Sequence, residues 1–170
     1  RFSIKKNLNN KNIDFFFDNN IKKYINVDDK ILDYGCGPGA FSIRLSKFSK
    51  SIVAADIVDE FLLECNKNIS LYKIKNIKTK LIKEKKLPFN KGEFDKIVLV
   101  DVIHHLENVE DILSQLSNIL SSKGKIIIYE PNKLNPLLWL MHYVDKNERG
   151  LLEFGSPSKY KKLFFENNFK

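Results

Sequence analysis

The sequence predicts an α/β fold: a doubly wound, mostly parallel sheet with helices on both faces. Three observations predict it. Short apolar runs alternate with longer amphipathic segments, the pattern of strands joined by crossover helices. A glycine-rich turn follows the first strand-like run and opens the next helix. No internal repeat, low-complexity linker or composition break divides the 170 residues, so 1–170 reads as a single domain of ordinary size.

Each element follows from local pattern. Ile13 to Ile25 reads as a helix, with Phe16, Phe17, Ile21, Tyr24 and Ile25 on or near one side. Lys30 to Tyr34 is the first strand, and a helix from Phe41 to Phe48 opens just after the glycines. Ser51 to Ala55, Ile77 to Ile82 and Phe94 to Val100 are the next strands, the last apolar enough to be central. Helices are expected over Asp59 to Ile69 and Val109 to Leu120, the second stopped by Ser-Ser-Lys-Gly before a fifth strand from Lys125 to Tyr129. A helical stretch is expected from Leu137, and Ser156-Pro157 starts a last helix ending near Asn167, with Tyr160, Phe164 and Phe165 as core residues.

Composition narrows the class. With 43% hydrophobic and 29% charged residues, the chain is neither disordered nor fibrous. The longest uninterrupted apolar run, Leu137 to Met141, is too short to cross a bilayer. No signal-peptide pattern is visible. The chain begins at Arg1, and a natural N-terminus is expected to have been removed. Two cysteines, Cys36 and Cys65, build neither a disulfide framework nor a four-thiolate zinc site, and a reducing, cytoplasmic setting is the default.

The net charge is +8, yet only Arg1, Arg44 and Arg149 are arginine. Nucleic-acid readers lean on arginine for bidentate contacts, so a nucleic-acid partner is not favoured. Seven lysines between Lys73 and Lys86 fit an edge strand protected from aggregation better than a nucleic-acid groove.

The most informative stretch is Asp33-Tyr34-Gly35-Cys36-Gly37-Pro38-Gly39-Ala40, between a strand and a helix. Glycines let a tight turn form and let backbone approach a ligand. Asp56 ends the next strand, 21 positions beyond Gly35, where an acid in a doubly wound sheet reaches the ribose hydroxyls of a nucleoside. Gly35-x-Gly37-x-x-Ala40 also fits the dinucleotide fingerprint. Asp33 tips the balance: a carboxylate there opposes a pyrophosphate and suits a ligand carrying an ammonium and a sulfonium. That chemistry points to S-adenosylmethionine rather than NAD.

These residues carry a resemblance. The segments ILDYGCGPGAFS (31–42), VAADI (53–57), LPFNKGEFDKIVLVDVIHHL (87–106) and GKIIIYEPN (124–132) resemble, in order and spacing, the class I S-adenosylmethionine-dependent methyltransferases, in particular the small-molecule enzymes of the ubiquinone-biosynthesis type. The resemblance implies the Rossmann-like methyltransferase fold, with a seven-stranded sheet. It implies that Asp33, Gly35, Cys36, Gly37 and Gly39 cradle the methionine end of the cofactor, that Asp56 holds the ribose, and that Ile57 flanks the adenine. Many relatives place an acid just before Leu-Pro-Phe to bind the adenine amino group. Here Lys83 stands nearest, and either Glu84 beside it takes that role or backbone groups do. The family sheet ends in a strand hairpin. This sequence stops where the sixth strand would begin, so a C-terminally incomplete sheet is expected.

Asp101, His104 and His105 follow the fourth strand at its carboxyl end, where ligands bind in such sheets. Asp101 is expected to contact the cofactor. His104 or His105 suits a general base for an oxygen acceptor, or one packs against the helix start while the other is solvated. Glu130 either orients an acceptor or caps a turn. No metal is expected, because His104, His105 and His142 lack ligand spacing. Leu137 to Val144, with Trp139, Met141 and Tyr143, either roofs a pocket for an apolar acceptor or packs ordinarily. The leading expectation is methyl transfer from S-adenosylmethionine to a small molecule, leaving S-adenosylhomocysteine. The alternatives are a non-catalytic module of the same fold, an RNA or protein methyltransferase, and, less favoured, an NAD-dependent oxidoreductase.

Overall fold

In a computed structural model of the chain, which describes residues 10–83, 86–132, 156–167 and 169, the first helix, α1, spans Lys11–Asn20. The Asn10 side chain caps it by accepting from the Asn12 N–H at 2.9 Å. A 3₁₀ turn at Lys22–Tyr24 follows, so the single helix expected over Ile13 to Ile25 is split. Phe17 and Ile21 go into the core, whereas Phe15 and Tyr24 stay exposed.

Five strands follow: β1 (Lys30–Tyr34), β2 (Ser51–Asp56), β3 (Ile77–Leu81), β4 (Phe94–Val100) and β5 (Leu120–Tyr129). Among the described residues they form one parallel sheet in the order β3-β2-β1-β4-β5. Helices α2 (Ala40–Leu45), α3 (Asp59–Leu71) and α4 (Val109–Ile119) are the crossovers, and α5 (Pro157–Glu166) comes last, capped by Ser156. The chain leaves β1 in one direction for β2 and β3, then returns to the other side for β4 and β5. The switch point therefore lies between β1 and β4, and the crevice belongs at their carboxyl ends.

Alternation along β1 shows why both faces are covered. Ile31 packs with Phe17, Ile21, Leu45, Leu62 and Cys65 on one side. Leu32 and Tyr34 pack with Leu113, Leu116, Ile119 and Leu163 on the other. Side chains of a strand point to opposite faces in turn, so burial on both requires an apolar run. Lys78 and Lys80 are exposed on β3, the outermost strand, the placement expected of edge protection. No helix among the described residues is long and apolar enough to cross a membrane.

Two further expectations are corrected. Ser121 to Gly124 does not separate α4 from a later strand. Leu120 is already extended and pairs with Phe94, and the next paired residue, Lys125, sits opposite Lys96. The additional residues are absorbed as an irregularity within β5. Phe165, expected in the core, is 80% exposed, while Leu163 on the same helix is buried. The stretch from Leu137 to Val144 lies outside the described residues.

At the amino-terminal end of the sheet, away from the glycines, β4 carries a buried lysine. Lys96 Nζ lies 3.0 Å from Asp29 Oδ1, both side chains 8% exposed, and Asp29 also accepts from the Asn26 N–H at 2.7 Å. Removing one partner strands a buried charge, a loss of about 3–5 kcal/mol. Lys96→Met is therefore expected to lower the stability read by urea unfolding by about that much, and Asp29→Asn in the same chain to recover part of it. Unchanged stability in Lys96→Met would show that the pair is not held in the folded state.

Candidate functional site

The carboxyl ends of β1, β2 and β4 bring the sequence-predicted residues together. Gly35 and Cys36 turn back over β2, both N–H groups donating to the Ala55 carbonyl at 2.8 and 3.0 Å. Gly35 has φ +74°, and a Cβ there would meet Val102 Cγ2 at 2.5 Å. A side chain is thus excluded both by backbone conformation and by the wall of the β4 turn. Gly37 differs: nothing lies within 4 Å of where its Cβ would stand, so its backbone borders open space that a ligand can enter.

Asp56, 8% exposed, braces the turn. Its Oδ2 accepts from the Gly37 N–H at 2.8 Å, and its Oδ1 accepts from the Val58 N–H at 3.0 Å. Each carboxylate oxygen keeps a second acceptor position. Ile57, next along the chain, is 70% exposed, an apolar surface beside the acid.

Asp33 lies beneath the turn and is almost completely buried. It accepts from the Ser42 hydroxyl at 2.5 Å on α2. Burial pushes its carboxyl up to about 6; the Ser42 bonds oppose this, and the neighbouring Asp56 charge adds to it. The same burial, with Asp56 nearby, pushes the Tyr34 hydroxyl up to about 12. Ser42 was missed by sequence reasoning. The available signal was a hydroxyl one helical turn past the last glycine, on the face that meets β1.

The end of β4 supplies a second group. Asp101 adopts φ +63°, a left-handed conformation that Asp tolerates better than most residues. Its N–H donates to the Tyr129 carbonyl at 2.8 Å, and the chain bends into a 3₁₀ turn at Ile103–His105. Glu130 accepts from the N–H groups of Val102 and Ile103, each at 2.7 Å, and its other oxygen lies 2.6 Å from His104 Nδ1. A carboxylate only accepts, which places the proton on Nδ1. His104 is buried with Nε2 3.8 Å from Asp101 Oδ1, whereas His105 is exposed. Asp101, His104 and Glu130 offer donor atoms within 4.8 Å of one another, a grouping invisible in chain spacing because Glu130 lies just past the end of β5. Glu84 lies outside the described residues, and Lys83 is exposed.

A cavity of ≈ 610 Å³ opens beside Glu130, between β5 and α5, walled by Ile126, Ile128, Tyr129, Tyr160 and Phe164. The Tyr160 hydroxyl is buried there without a hydrogen-bond partner among the described residues. Burial, then the Glu130 and Asp101 charges, push its ionisation well above the usual tyrosine range.

The donor set suits a cationic nucleoside: carboxylates Asp33 and Asp56 lie below and beside an open glycine edge, with the exposed Ile57 next to Asp56. Comparison with known proteins shows the family. Residues 25–166 match the methyltransferase-domain family. Over an alignment of 184 residues the chain is 24% identical to the ubiquinone biosynthesis O-methyltransferase of Rickettsia bellii, covering 99% of this chain and 73% of that one. Over 112 residues it is 34% identical to the ubiquinone/menaquinone biosynthesis C-methyltransferase of Wigglesworthia glossinidia brevipalpis, covering 64% and 45%. The solved PH0226 protein of Pyrococcus horikoshii shares the fold, with a TM-score of 0.76 over 94% of this chain and 83% of its own, at 21% identity. With the family match spanning most of its length, the chain belongs to the methyltransferase-domain family, in the class I, S-adenosylmethionine-dependent group.

Proposed function

We propose that the chain binds S-adenosylmethionine at the β1–β4 switch point and transfers its methyl group to a small, apolar acceptor of the quinone-precursor type. The observation that carries this is Asp33, a buried carboxylate under an open glycine edge. An anionic site of this kind attracts an ammonium and a sulfonium and repels a diphosphate.

The bound cofactor supplies an activated methyl group, displaced in line by the acceptor. The chain's own residues position and desolvate. Asp33 and Ser42 would hold the ammonium end, and the free acceptor positions of Asp56 would take the ribose hydroxyls. Ile57 would cover one adenine face. Asp101 would border the sulfonium from the β4 side, together with the Gly35, Cys36, Gly37 and Gly39 backbone. Glu84, or else backbone groups, would take the adenine amino group. His105 is the exposed candidate base for an oxygen acceptor; His104, held by Glu130, would position that turn. The apolar cavity beside Glu130 supports an apolar acceptor, as do the names of the Rickettsia and Wigglesworthia relatives.

Calorimetric titration with S-adenosylmethionine, S-adenosylhomocysteine and NAD tests the reading. The first two are expected to bind and NAD to fail; the reverse order would overturn it. Asp56→Ala is expected to weaken S-adenosylhomocysteine binding by roughly 1–3 kcal/mol, as for lost hydrogen bonds to a charged group. An unchanged dissociation constant would remove Asp56 from the site.

Asp33 makes binding depend on pH. Its folded-state value of about 6 lies above the ordinary 3.8, so folding retains the proton. The associated stability is present below the ordinary value and is lost as pH rises through about 6. A cation favours the ionised form, so below that pH binding must first expel the proton. S-adenosylmethionine affinity is therefore expected to rise about tenfold from pH 5 to pH 7, with Asp33→Asn weakening binding and flattening the profile. A wild-type profile that is already flat would place the ammonium elsewhere.

A further inference from the structure

The end of β5 grips the end of β4 through successive residues. The Asp101 N–H donates to the Tyr129 carbonyl at 2.8 Å. Val102 and Ile103 donate their N–H groups to Glu130 Oε1 at 2.7 Å each, and His104 Nδ1 lies 2.6 Å from Glu130 Oε2. The Glu130 side chain is 2% exposed and that of His104 is 0% exposed, so these bonds form away from water. Asp101 differs: its side chain is 63% exposed, with Oδ1 3.8 Å from His104 Nε2. The carboxylate therefore meets the ring on one side and solvent on the other.

We propose that Glu130 is a positioning residue: by fixing the His104 ring it keeps the Asp101 carboxylate turned to the sulfonium charge of the cofactor. The proposal rests on the S-adenosylmethionine reading above, in which Asp101 borders the sulfonium. An ionised carboxylate only accepts, so the ring proton sits on Nδ1 and Nε2 of the neutral ring carries none. Held in this tautomer, His104 turns a lone pair toward Asp101 rather than a proton. The ring then draws none of the Asp101 charge into an N–H bond.

Glu130→Gln inverts this arrangement while keeping the turn. The amide oxygen stays on Val102 and Ile103, because two N–H groups point at that position. The amide NH₂ then faces His104 Nδ1, which must accept. The ring proton moves to Nε2 and is directed at Asp101 Oδ1. A carboxylate charge shared with the ring attracts a sulfonium less. S-adenosylhomocysteine has a neutral sulfur and loses nothing by the change. The substitution thus separates the charged cofactor from its product, which a loss of general structure does not do.

The test pairs nitrogen NMR of the imidazole rings with calorimetric titration of the full chain by S-adenosylmethionine and by S-adenosylhomocysteine. The wild type is expected to show His104 as the Nδ1–H tautomer and Glu130→Gln to show it as Nε2–H. In Glu130→Gln, S-adenosylmethionine affinity is expected to fall about five- to tenfold, the size of one screened charge interaction. S-adenosylhomocysteine affinity should stay within about twofold of the wild type. In an Asp101→Asn background the same substitution is expected to change neither affinity, because the route through Asp101 is gone. An Nε2–H tautomer in the wild type would overturn the positioning role. So would an unchanged S-adenosylmethionine affinity, an equal fall for both ligands, or a fall that persists in the Asp101→Asn background. Should circular dichroism show Glu130→Gln unfolded, the wild-type tautomer and Asp101→Asn alone decide. Asn tolerates the left-handed conformation, and its loss of affinity must be confined to S-adenosylmethionine for the role to stand. Failure of the wild type to bind either ligand would instead sink the cofactor reading, and this proposal with it.

Discussion

A carboxylate buried beneath a glycine turn, beside a second carboxylate, is the constraint around which the rest is arranged. Asp33 accepts from the Ser42 hydroxyl, and burial holds its carboxyl near 6. A charge removed from water destabilises a fold unless it is compensated. The chain supplies only part of that compensation through Ser42, and a bound cation would supply more. The electrostatic strain of the unliganded protein and its preference for a positively charged ligand thus have one origin.

The glycine turn is held from two sides. The β2 end anchors it through Ala55 and the Asp56 carboxylate. The β4 turn and α3 exclude side chains at Gly35 and Gly39, where Val102 and Cys65 stand. Gly37 alone of the three has open space over it. Backbone is presented to a ligand at one point and packed tightly on either side, so the opening has a defined shape without an ordered ligand to hold it.

Across the switch point, Glu130 joins the ends of β4 and β5. It collects two backbone N–H groups and His104 on one carboxylate. This fixes a turn whose first residue, Asp101, is already in a left-handed conformation. Local strain of this kind persists when surrounding bonds over-determine it. The clamp also separates the histidine pair into a buried, oriented ring and an exposed one.

The order of elements, the glycine turn and the acid ending β2 were legible in the sequence because each depends on local pattern: alternation, glycine spacing and distance along one βαβ unit. Asp33 was legible for a related reason, since a charge in an otherwise apolar strand has few bland explanations. Chain spacing could not reveal Ser42 under Asp33, Glu130 on His104, or Cys65 against Gly39, because each pair joins separate elements and exists only when crossovers bring them together. Sequence also misjudged Ser121 to Gly124, where strand pairing with β4 overrode turn chemistry. It misjudged Phe165 too, where the rotation of α5 on the sheet chose Leu163 for the core. Short-range stereochemistry determined which residues form strands, helices and the turn; long-range packing decided which carboxylates lose their water and which side chains close over the glycines.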